Sequence, residues 1–222
     1  MQVEEILSIN TILIADDHPL IQQYLTLVLR KLNPGCEILT TNVMIKTIQL
    51  VKTHPIDLLL LDVMLDDGIS IGSIDLLKRV QPDMKILIVS TYSADAYGRR
   101  AISLGADGYI DKKVPLNELI DAIKSVISGM KYLRKDIIYS LAFPNKQTND
   151  GNKNPFDLLT NREFEIAILL LQGKTITDVA VEINLQRSTV STHKMKILEK
   201  LGVSNLLELQ MLANKYDINQ IP

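Results

Sequence analysis

Residues 56–65 read Ile-Asp-Leu-Leu-Leu-Leu-Asp-Val-Met-Leu, with four consecutive leucines between two aspartates. This apolar run is too short for a helix of ordinary length and too continuous for a strand with one face in water. It therefore predicts a strand that is buried on both faces of a parallel sheet and ends at Asp62. Open α/β sheets place their chemistry in the crevice beyond the carboxyl ends of the strands. Asp62 is thus the first candidate functional residue.

The chain around this run alternates short apolar stretches with longer amphipathic ones. Further strands are predicted at 11–15, 37–41, 85–90 and 108–110, and helices at 19–32, 44–52, 75–80, 95–104 and 116–127. Five strands alternating with five helices predict an α/β fold, a doubly wound five-stranded parallel sheet of order 2-1-3-4-5. Apolar residues that recur at helical spacing indicate the first two helices. The residues concerned are Leu20, Tyr24, Leu27, Val28 and Leu32 in the first helix, and Ile45, Ile48 and Val51 in the second.

The rest of the chain has a different composition. Residues 144–155 are polar and bounded by prolines, which is typical of a linker, and residues 131–142 could form one short helix before it. Beyond the linker the pattern predicts helices at 161–171, 177–183, 188–201 and 204–215. We therefore expect a sheet domain at 1–133, a linker at 134–155 and a second, smaller all-α domain at 156–222.

Length and composition limit the class of protein. The chain has 222 residues, of which 46% are hydrophobic, and this is enough for two hydrophobic cores. Its net charge of −2 argues against a protein that coats nucleic acid or membrane along its whole length. The single cysteine, Cys36, excludes an intramolecular disulfide and a cysteine-rich zinc site, so we expect a cytoplasmic location. No apolar run approaches the roughly 20 residues that cross a bilayer, and residues 1–9 lack the pattern of a secretory signal.

Five polar residues are predicted to meet at one edge of the sheet. Strands one and three are neighbours in the order 2-1-3-4-5, so Asp16, Asp17 and Asp62 converge there. Three carboxylates repel one another unless a cation holds them, and hard cations such as Mg²⁺ bind carboxylates, carbonyls and phosphate. Ser90 and Lys112 follow strands four and five at the same edge. The set predicts a phosphoryl site in which Asp62 is the nucleophile, Ser90 donates to an oxygen, and Lys112 and the metal neutralise charge.

Each of these residues also has an ordinary structural interpretation. An adjacent aspartate pair at the end of a strand is often a turn or a helix cap. Ser90 or Lys112 alone would be a surface residue, and His18 and His54 are interpreted as structural or neutral. The functional hypothesis depends on these five residues falling at the same edge of successive strand-helix units.

The predicted helices at 177–183 and 188–201 flank a tight turn at Asn184-Leu185, as in a helix-turn-helix that presents its second helix to the major groove. Thr160 and Glu163 predict a capping box at the start of the preceding helix. Val190, Ile197, Leu198 and Leu201 form one apolar stripe, and the basic residues beside it suit phosphate contacts. A small helical domain that binds protein is an alternative that these residues leave open. The predicted DNA contacts are Arg187, Ser188, Thr189, Ser191, Thr192, Lys194, Met195, Lys196 and Lys200.

Residues 10–130 resemble the receiver domain of two-component response regulators, and residues 156–216 resemble the LuxR-type helix-turn-helix, a pairing characteristic of the NarL/FixJ class. The motifs that carry the resemblance are Asp16-Asp17-His18-Pro19, the strand ending in Asp62, the stretches 86–90 and 105–112, Thr189-Val190, His193 and 200–203. It implies phosphorylation of Asp62 by a histidine kinase and Mg²⁺ held by Asp16, Asp17, Asp62 and the Met64 carbonyl. It also implies a switch pair, Ser90 and Tyr109, in which phosphorylation draws Ser90 toward the phosphate and Tyr109 inward.

The sequence departs from this family at three places. A proline usually follows the phosphorylated aspartate by four residues, whereas Asp66 and then Asp67 stand here. Two further acids beside the pocket would either raise the metal affinity or hinder phosphorylation. Asp111 replaces an apolar residue, and Lys113 follows Lys112 as a second candidate for the phosphate contact.

The function that these features predict is that of a non-enzymatic transcription factor. Phosphorylation would promote homodimerisation, to which residues 204–215 contribute, and binding to double-stranded DNA. One alternative is a phosphorylation-gated module whose helical domain binds protein. A second is a Mg²⁺-dependent phosphotransfer enzyme, although no segment between the strands is long enough for a substrate lid.

Overall fold

The computed structural model describes residues 9–133 and 154–218. These residues form two compact units, one built around a β-sheet and one built of helices. Within the described ranges, no helix has the length and apolar character needed to cross a membrane. Nearly all of the predicted linker at 144–155 and most of the possible helix at 131–142 lie outside the described residues. Within the described start of that possible helix, Tyr132 forms a parallel β-bridge with Gly108 instead of a helical turn.

The first unit follows the predicted alternation of strands and helices, with one addition. Its loop after the leucine-rich strand contains a short antiparallel hairpin and a 3-10 turn at Ile71–Ser73, neither of which the apolar pattern predicts. The elements are β1 (Thr11–Ala15), α1 (Pro19–Leu32), β2 (Glu37–Thr41), α2 (Met44–Thr53), β3 (Leu58–Leu61), β4 (Met64–Leu65), β5 (Gly68–Ile69), α3 (Ile74–Val80), β6 (Lys85–Ser90), α4 (Ala94–Ser103), β7 (Gly108–Asp111) and α5 (Leu116–Ile127).

The five longer strands form one parallel sheet of order β2-β1-β3-β6-β7, which confirms the predicted fold. Every residue of β1 and β3 is buried, as expected for central strands covered on both faces. In the register, Ala15 pairs with Leu61, and Ser90 pairs with Asp111. The residues that follow β1, β3, β6 and β7 are therefore level with one another at the carboxyl edge.

The helices α1 and α2 are present, but not all of the apolar residues that indicated them face the sheet. Leu20 is 78% exposed and Leu27 63% exposed, whereas Leu25, Val28 and Leu29 are buried. The helix carries apolar residues on two stripes at helical spacing, and only the stripe facing the sheet is covered. In α2, Ile45 is 75% exposed, and the buried positions are Met44, Thr47 and Val51, so of the predicted set only Val51 lies in the core.

In the part of the second unit that the structure describes, four helices follow a 3-10 turn at Pro155–Leu158. They are α6 (Asn161–Leu171), α7 (Ile176–Glu182), α8 (Arg187–Leu201) and α9 (Leu206–Lys215). The capping box of Thr160 and Glu163 is present at α6, and Thr175 and Asp178 form a second one at α7. The α7–α8 turn passes through Asn184 at a φ of 51°, a left-handed conformation that asparagine tolerates better than most residues.

Candidate functional site

The carboxyl edge of the sheet places Asp16 and Asp62 side by side. Asp16 follows β1 and Asp62 follows β3, the strand hydrogen-bonded to it, and the Asp62 amide donates to the Ala15 carbonyl at 2.9 Å. The Asp16 amide donates in turn to the Thr41 carbonyl at 3.0 Å. Both side chains are almost fully buried, at 2% and 4% exposure. Sheet register therefore holds two carboxylates at the mouth of the central strands.

Lys112 and Ser90 approach the same carboxylates from the neighbouring strands. Lys112 Nζ lies 2.5 Å from Asp62 Oδ2 and 2.7 Å from Asp16 Oδ2, so its ammonium bridges the pair. Ser90 Oγ donates to Asp62 Oδ1 at 2.5 Å, and the Val63 amide donates to the same oxygen at 2.6 Å. Each oxygen of Asp62 thus has its own donors. The structure brings together four of the residues that the sequence placed at this edge.

Of the two lysines after β7, it is Lys112 that contacts Asp62. The Lys112 side chain is 6% exposed, and its amide donates to the Ser90 carbonyl, which continues the β6–β7 ladder. Lys113 is exposed, and its amide donates to Asp111 Oδ1 at 2.8 Å. Asp111, at the exposed end of β7, therefore caps the turn that directs Lys112 inward.

Burial and the neighbouring charges of opposite sign shift the pKa values of Asp16 and Lys112 in opposite directions. Burial raises the pKa of Asp16, and the neighbouring Asp62 charge adds to this, against the lowering effect of Lys112. Burial alone would lower the pKa of Lys112, but the two carboxylates outweigh it, and the pKa is raised. One ammonium shared between two buried carboxylates explains both directions. The pocket has an excess of negative charge that a further cation would offset.

The side chains at this edge fit a small hard cation. Asp16, Asp17, His18 and Asp62 each offer a ligand atom, and these atoms all lie within 4.8 Å of one another. Asp17 Oδ1 is buried and accepts no hydrogen bond of proper geometry from the described residues. Carboxylate oxygens are the ligands that Mg²⁺ prefers. The donor set is consistent with a metal site.

His18 was interpreted from the sequence as structural or neutral, and the structure places it in this cluster. Its Nδ1 lies 2.5 Å from Asp17 Oδ1 and 3.4 Å from Asp16 Oδ1, while its side chain is 59% exposed. The signal in the sequence was its position directly after the two aspartates. His18 therefore forms part of the rim of the pocket.

The two additional acids, Asp66 and Asp67, contact the start of α2 and Asn42 just before it. Asp67 accepts hydrogen bonds from the Met44 amide at 2.6 Å and from the Ile45 amide at 2.9 Å, which are donors at the start of α2. Asp66 accepts from Asn42 Nδ2 at 2.5 Å. The β4–β5 hairpin thus caps the helix from outside, since the helix has no side-chain cap of its own. The expectation that these acids act on the pocket directly finds no support in their contacts.

The predicted switch residues both lie inside the unit. Ser90 is fully buried and bonded to Asp62, as described above. Tyr109 is 3% exposed, and its hydroxyl donates to the Tyr92 carbonyl at 2.8 Å. Both side chains are therefore buried and hydrogen-bonded.

The second unit contains the predicted helix-turn-helix as α7 and α8. Val190, Ile197, Leu198 and Leu201 of α8 are buried, as the apolar stripe predicted. Of the nine residues predicted to contact DNA, three lie at intermediate exposure and six are exposed. The intermediate residues are Thr189, Ser191 and Lys194; the exposed ones are Arg187, Ser188, Thr192, Met195, Lys196 and Lys200.

Lys200 differs from the other predicted DNA contacts. Its Nζ lies 2.6 Å from Glu163 Oε2, and the Glu163 side chain is 5% exposed. Burial by itself would raise the pKa of Glu163, but Lys200 and the Thr160 donors outweigh it and lower the pKa. Lys200 therefore ties α8 to the capping box of α6. The sequence predicted the capping box and the lysine but not their contact.

Each of the two units matches a known protein family. Residues 12–124 match the model of the response regulator receiver domain, and residues 157–213 match that of the bacterial regulatory proteins of the luxR family. The oxygen regulatory protein NreC of Staphylococcus carnosus is 32% identical over 210 residues, which cover 92% of this chain and 96% of NreC. The Fimbriae Z protein of Salmonella typhimurium is 28% identical over 208 residues, covering 94% of this chain and 98% of that protein.

A solved structure shows the same fold. RcsB from Salmonella enterica serovar Typhimurium, bound to promoter P1flhDC in the presence of phosphomimetic BeF3-, matches with a TM-score of 0.72 and 20% identity. The match covers 93% of this chain and 98% of RcsB. At this identity the likeness concerns the fold alone.

Proposed function

The chain belongs to the two-component response regulators with a LuxR-type DNA-binding domain, and on this basis we propose that phosphorylation of Asp62 controls its binding to DNA. Members of this family regulate transcription and are not catalytic enzymes. The observation that carries the proposal is the geometry of Asp62, whose buried carboxylate contacts both Lys112 and Ser90. We assign the receiver to residues 1–133, the linker to 134–155 and the DNA-binding domain to 156–222.

Phosphoryl transfer to Asp62 from a histidine kinase would give a role to each side chain that donates a hydrogen bond to Asp62. A carboxylate oxygen of Asp62 would form the new bond to phosphorus as the bond from phosphorus to the kinase histidine nitrogen breaks. Lys112, now paired with Asp62 Oδ2, would pair with an oxygen of the transferred group. Ser90 would donate to another oxygen, because its hydroxyl already points at the carboxylate.

Asp16, Asp17 and Asp62, with the Met64 carbonyl, would hold Mg²⁺ in this pocket. The closeness of the ligand atoms, all within 4.8 Å of one another, and the carboxylate excess support this assignment. When bound, the ion would neutralise charge on the transferred phosphoryl group. The residues themselves orient the carboxylate and exclude water, since Asp16 and Asp62 are almost fully buried.

The response would pass through Ser90 and Tyr109 to the face of the receiver formed by β6 and β7. A phosphoryl group would favour the inward positions of both residues by giving Ser90 a stronger acceptor. We propose that the shifted population forms a homodimer, with α9 contributing its exposed Leu207 and Met211, which are 66% and 62% exposed. Such a dimer would bind two half-sites of double-stranded DNA through α8. A cytoplasmic location gives access to that DNA.

The test combines a phosphodonor with sizing and DNA binding. Wild-type protein and Asp62→Asn are incubated with Mg²⁺ and acetyl phosphate, or with Mg²⁺ and beryllofluoride, and then analysed by size-exclusion chromatography and gel shift. We expect the wild type to shift toward a dimer and to bind DNA more tightly, and Asp62→Asn to do neither. An identical response from both proteins would contradict the role of Asp62. A phosphorylated protein without affinity for any DNA at low salt would favour a module that binds protein.

A further inference from the structure

The exposed centre of α8 has an unusual set of side chains for a helix that reads DNA. Ser188, Thr192, Met195 and Glu199 recur at spacings of four, three and four residues, so they lie on one line along the helix. All four are exposed, and the buried residues Val190, Ile197 and Leu201 lie on the opposite side. This line, which we name the reading stripe, carries no arginine, lysine, asparagine or glutamine.

The composition of the stripe limits which base edges it can read. Guanine is usually read by arginine or lysine, and adenine by asparagine or glutamine, through paired hydrogen bonds. Those side chains are missing from the stripe. The basic residues Arg187 and Lys196 flank it, where they suit phosphate contacts that carry no sequence information.

Met195 is the feature of the stripe that remains to be explained. Its side chain is 68% exposed, and it is the large apolar residue that α8 leaves in solvent. In the major groove the apolar group of a base pair is the C5 methyl of thymine. A thioether chain has no hydrogen-bond donor, so contact with that methyl is the readout that it can provide.

Thr192, one turn before Met195, is suited to the same surface. Its Oγ1 donates to the Ser188 carbonyl at 3.0 Å, which uses the hydroxyl proton inside the helix. The methyl group and the oxygen lone pairs remain for a base. Thr192 therefore cannot donate to purine acceptors in this rotamer, and its methyl adds apolar surface next to Met195.

We propose that α8 reads thymine through its C5 methyl, with Met195 as the specificity-determining contact and Thr192 beside it. This inference rests on the proposed binding of α8 to DNA and adds the class of base that it recognises. Each half-site would then contain at least one thymine whose methyl group contributes to affinity.

The experiment replaces thymine by deoxyuridine, which removes the methyl group and leaves the hydrogen-bonding edge unchanged. Duplexes bound by the phosphodonor-treated full-length protein are selected from a randomised pool, and the thymines of the selected sequence are replaced one at a time. Affinity is measured by fluorescence anisotropy at fixed salt. We expect a loss of about fourfold at one or two positions of each half-site, the equivalent of one buried methyl group.

Two variants separate this contact from general DNA affinity. Met195→Ala should discriminate between thymine and uracil duplexes less than the wild type does at those positions, because the larger apolar partner is gone while the Thr192 methyl remains. Lys196→Ala should weaken both duplexes alike, with a shallower salt dependence, and should keep the thymine preference. Affinity that does not change when thymine is replaced by deoxyuridine, or a thymine preference that Met195→Ala leaves undiminished, overturns this inference while the proposed function stands. Failure to select any duplex overturns both.

Discussion

Replacement of Lys112 by methionine tests the electrostatic account of the pocket most directly. Methionine keeps the length and apolar volume of the side chain but removes the charge that lies 2.5 Å from Asp62 and 2.7 Å from Asp16. All three side chains are at most 6% exposed, so water cannot take over the role of the ammonium. Loss of one partner of a buried ion pair costs about 3–5 kcal/mol, because it leaves uncompensated buried charge.

Magnesium should change that cost. A cation bound between the carboxylates replaces part of the missing charge, and at one hundred times its dissociation constant a ligand stabilises the folded state by about 2.7 kcal/mol. The variant without the ammonium should bind Mg²⁺ more tightly than the wild type. We therefore expect a deficit of about 3–5 kcal/mol without Mg²⁺ and a clearly smaller deficit with it.

Hydrogen exchange followed by mass spectrometry gives the local free energy of opening for peptides that contain β1 and β3. This readout is preferable to a single unfolding curve, because the chain has two units. Lys113→Met is the matched control: this neighbouring lysine is exposed, and we expect a change within about 0.5 kcal/mol. A Lys112→Met deficit below about 1 kcal/mol, far under the cost of a broken buried pair, or a deficit that Mg²⁺ leaves unchanged, would refute the reasoning.

Three further predictions concern the parts that support the two sites. Asp67→Ala removes the acceptor of the Met44 and Ile45 amides and should speed exchange in α2 by the equivalent of about 1 kcal/mol, whereas Asp66→Ala leaves these amides capped and should not. Glu163→Gln keeps the capping-box geometry but removes the charge. Because the folded-state pKa of Glu163 is lowered, the wild type should have a higher urea midpoint than the variant, fully so above roughly pH 4.3 and less so as pH falls through the folded-state pKa. A difference in urea midpoint that stays the same at every pH would contradict this prediction. Gly108→Ala brings a Cβ within 2.9 Å of the Tyr132 carbonyl and should cost about 1–3 kcal/mol in thermal unfolding, whereas Gly72→Ala meets nothing within 4 Å and should be nearly neutral.

Several features of the pocket could be predicted because they depend on strand ends alone. Once a buried parallel strand ends at Asp62 and its neighbour ends at Asp16, register brings the two carboxylates together. The same reasoning placed Ser90 and Lys112 at this edge.

The helices α5 and α6 also have the predicted bounds, since strong apolar periodicity and a capping box mark them.

Other features depended on contacts between segments distant in sequence. The side of α1 that faces the sheet could not be read from a helix with two apolar stripes. Asp67 is 22 residues from the Ile45 amide that it caps, and Lys200 is 37 residues from Glu163. Nothing in a local pattern specifies such partners.

The sequence by itself determined the order of the strands, the edge of the sheet at which the two carboxylates, Ser90 and Lys112 meet, and the two helices that flank the turn at Asn184. Hydrophobic periodicity and strand ends encode these properties locally. Only the tertiary structure decided that Lys112 and not Lys113 contacts Asp62, that Asp67 caps α2, and that Met195 and Thr192 lie on the exposed face of α8. These outcomes depend on where the folded backbone directs each side chain, and the direction follows from packing of the whole unit.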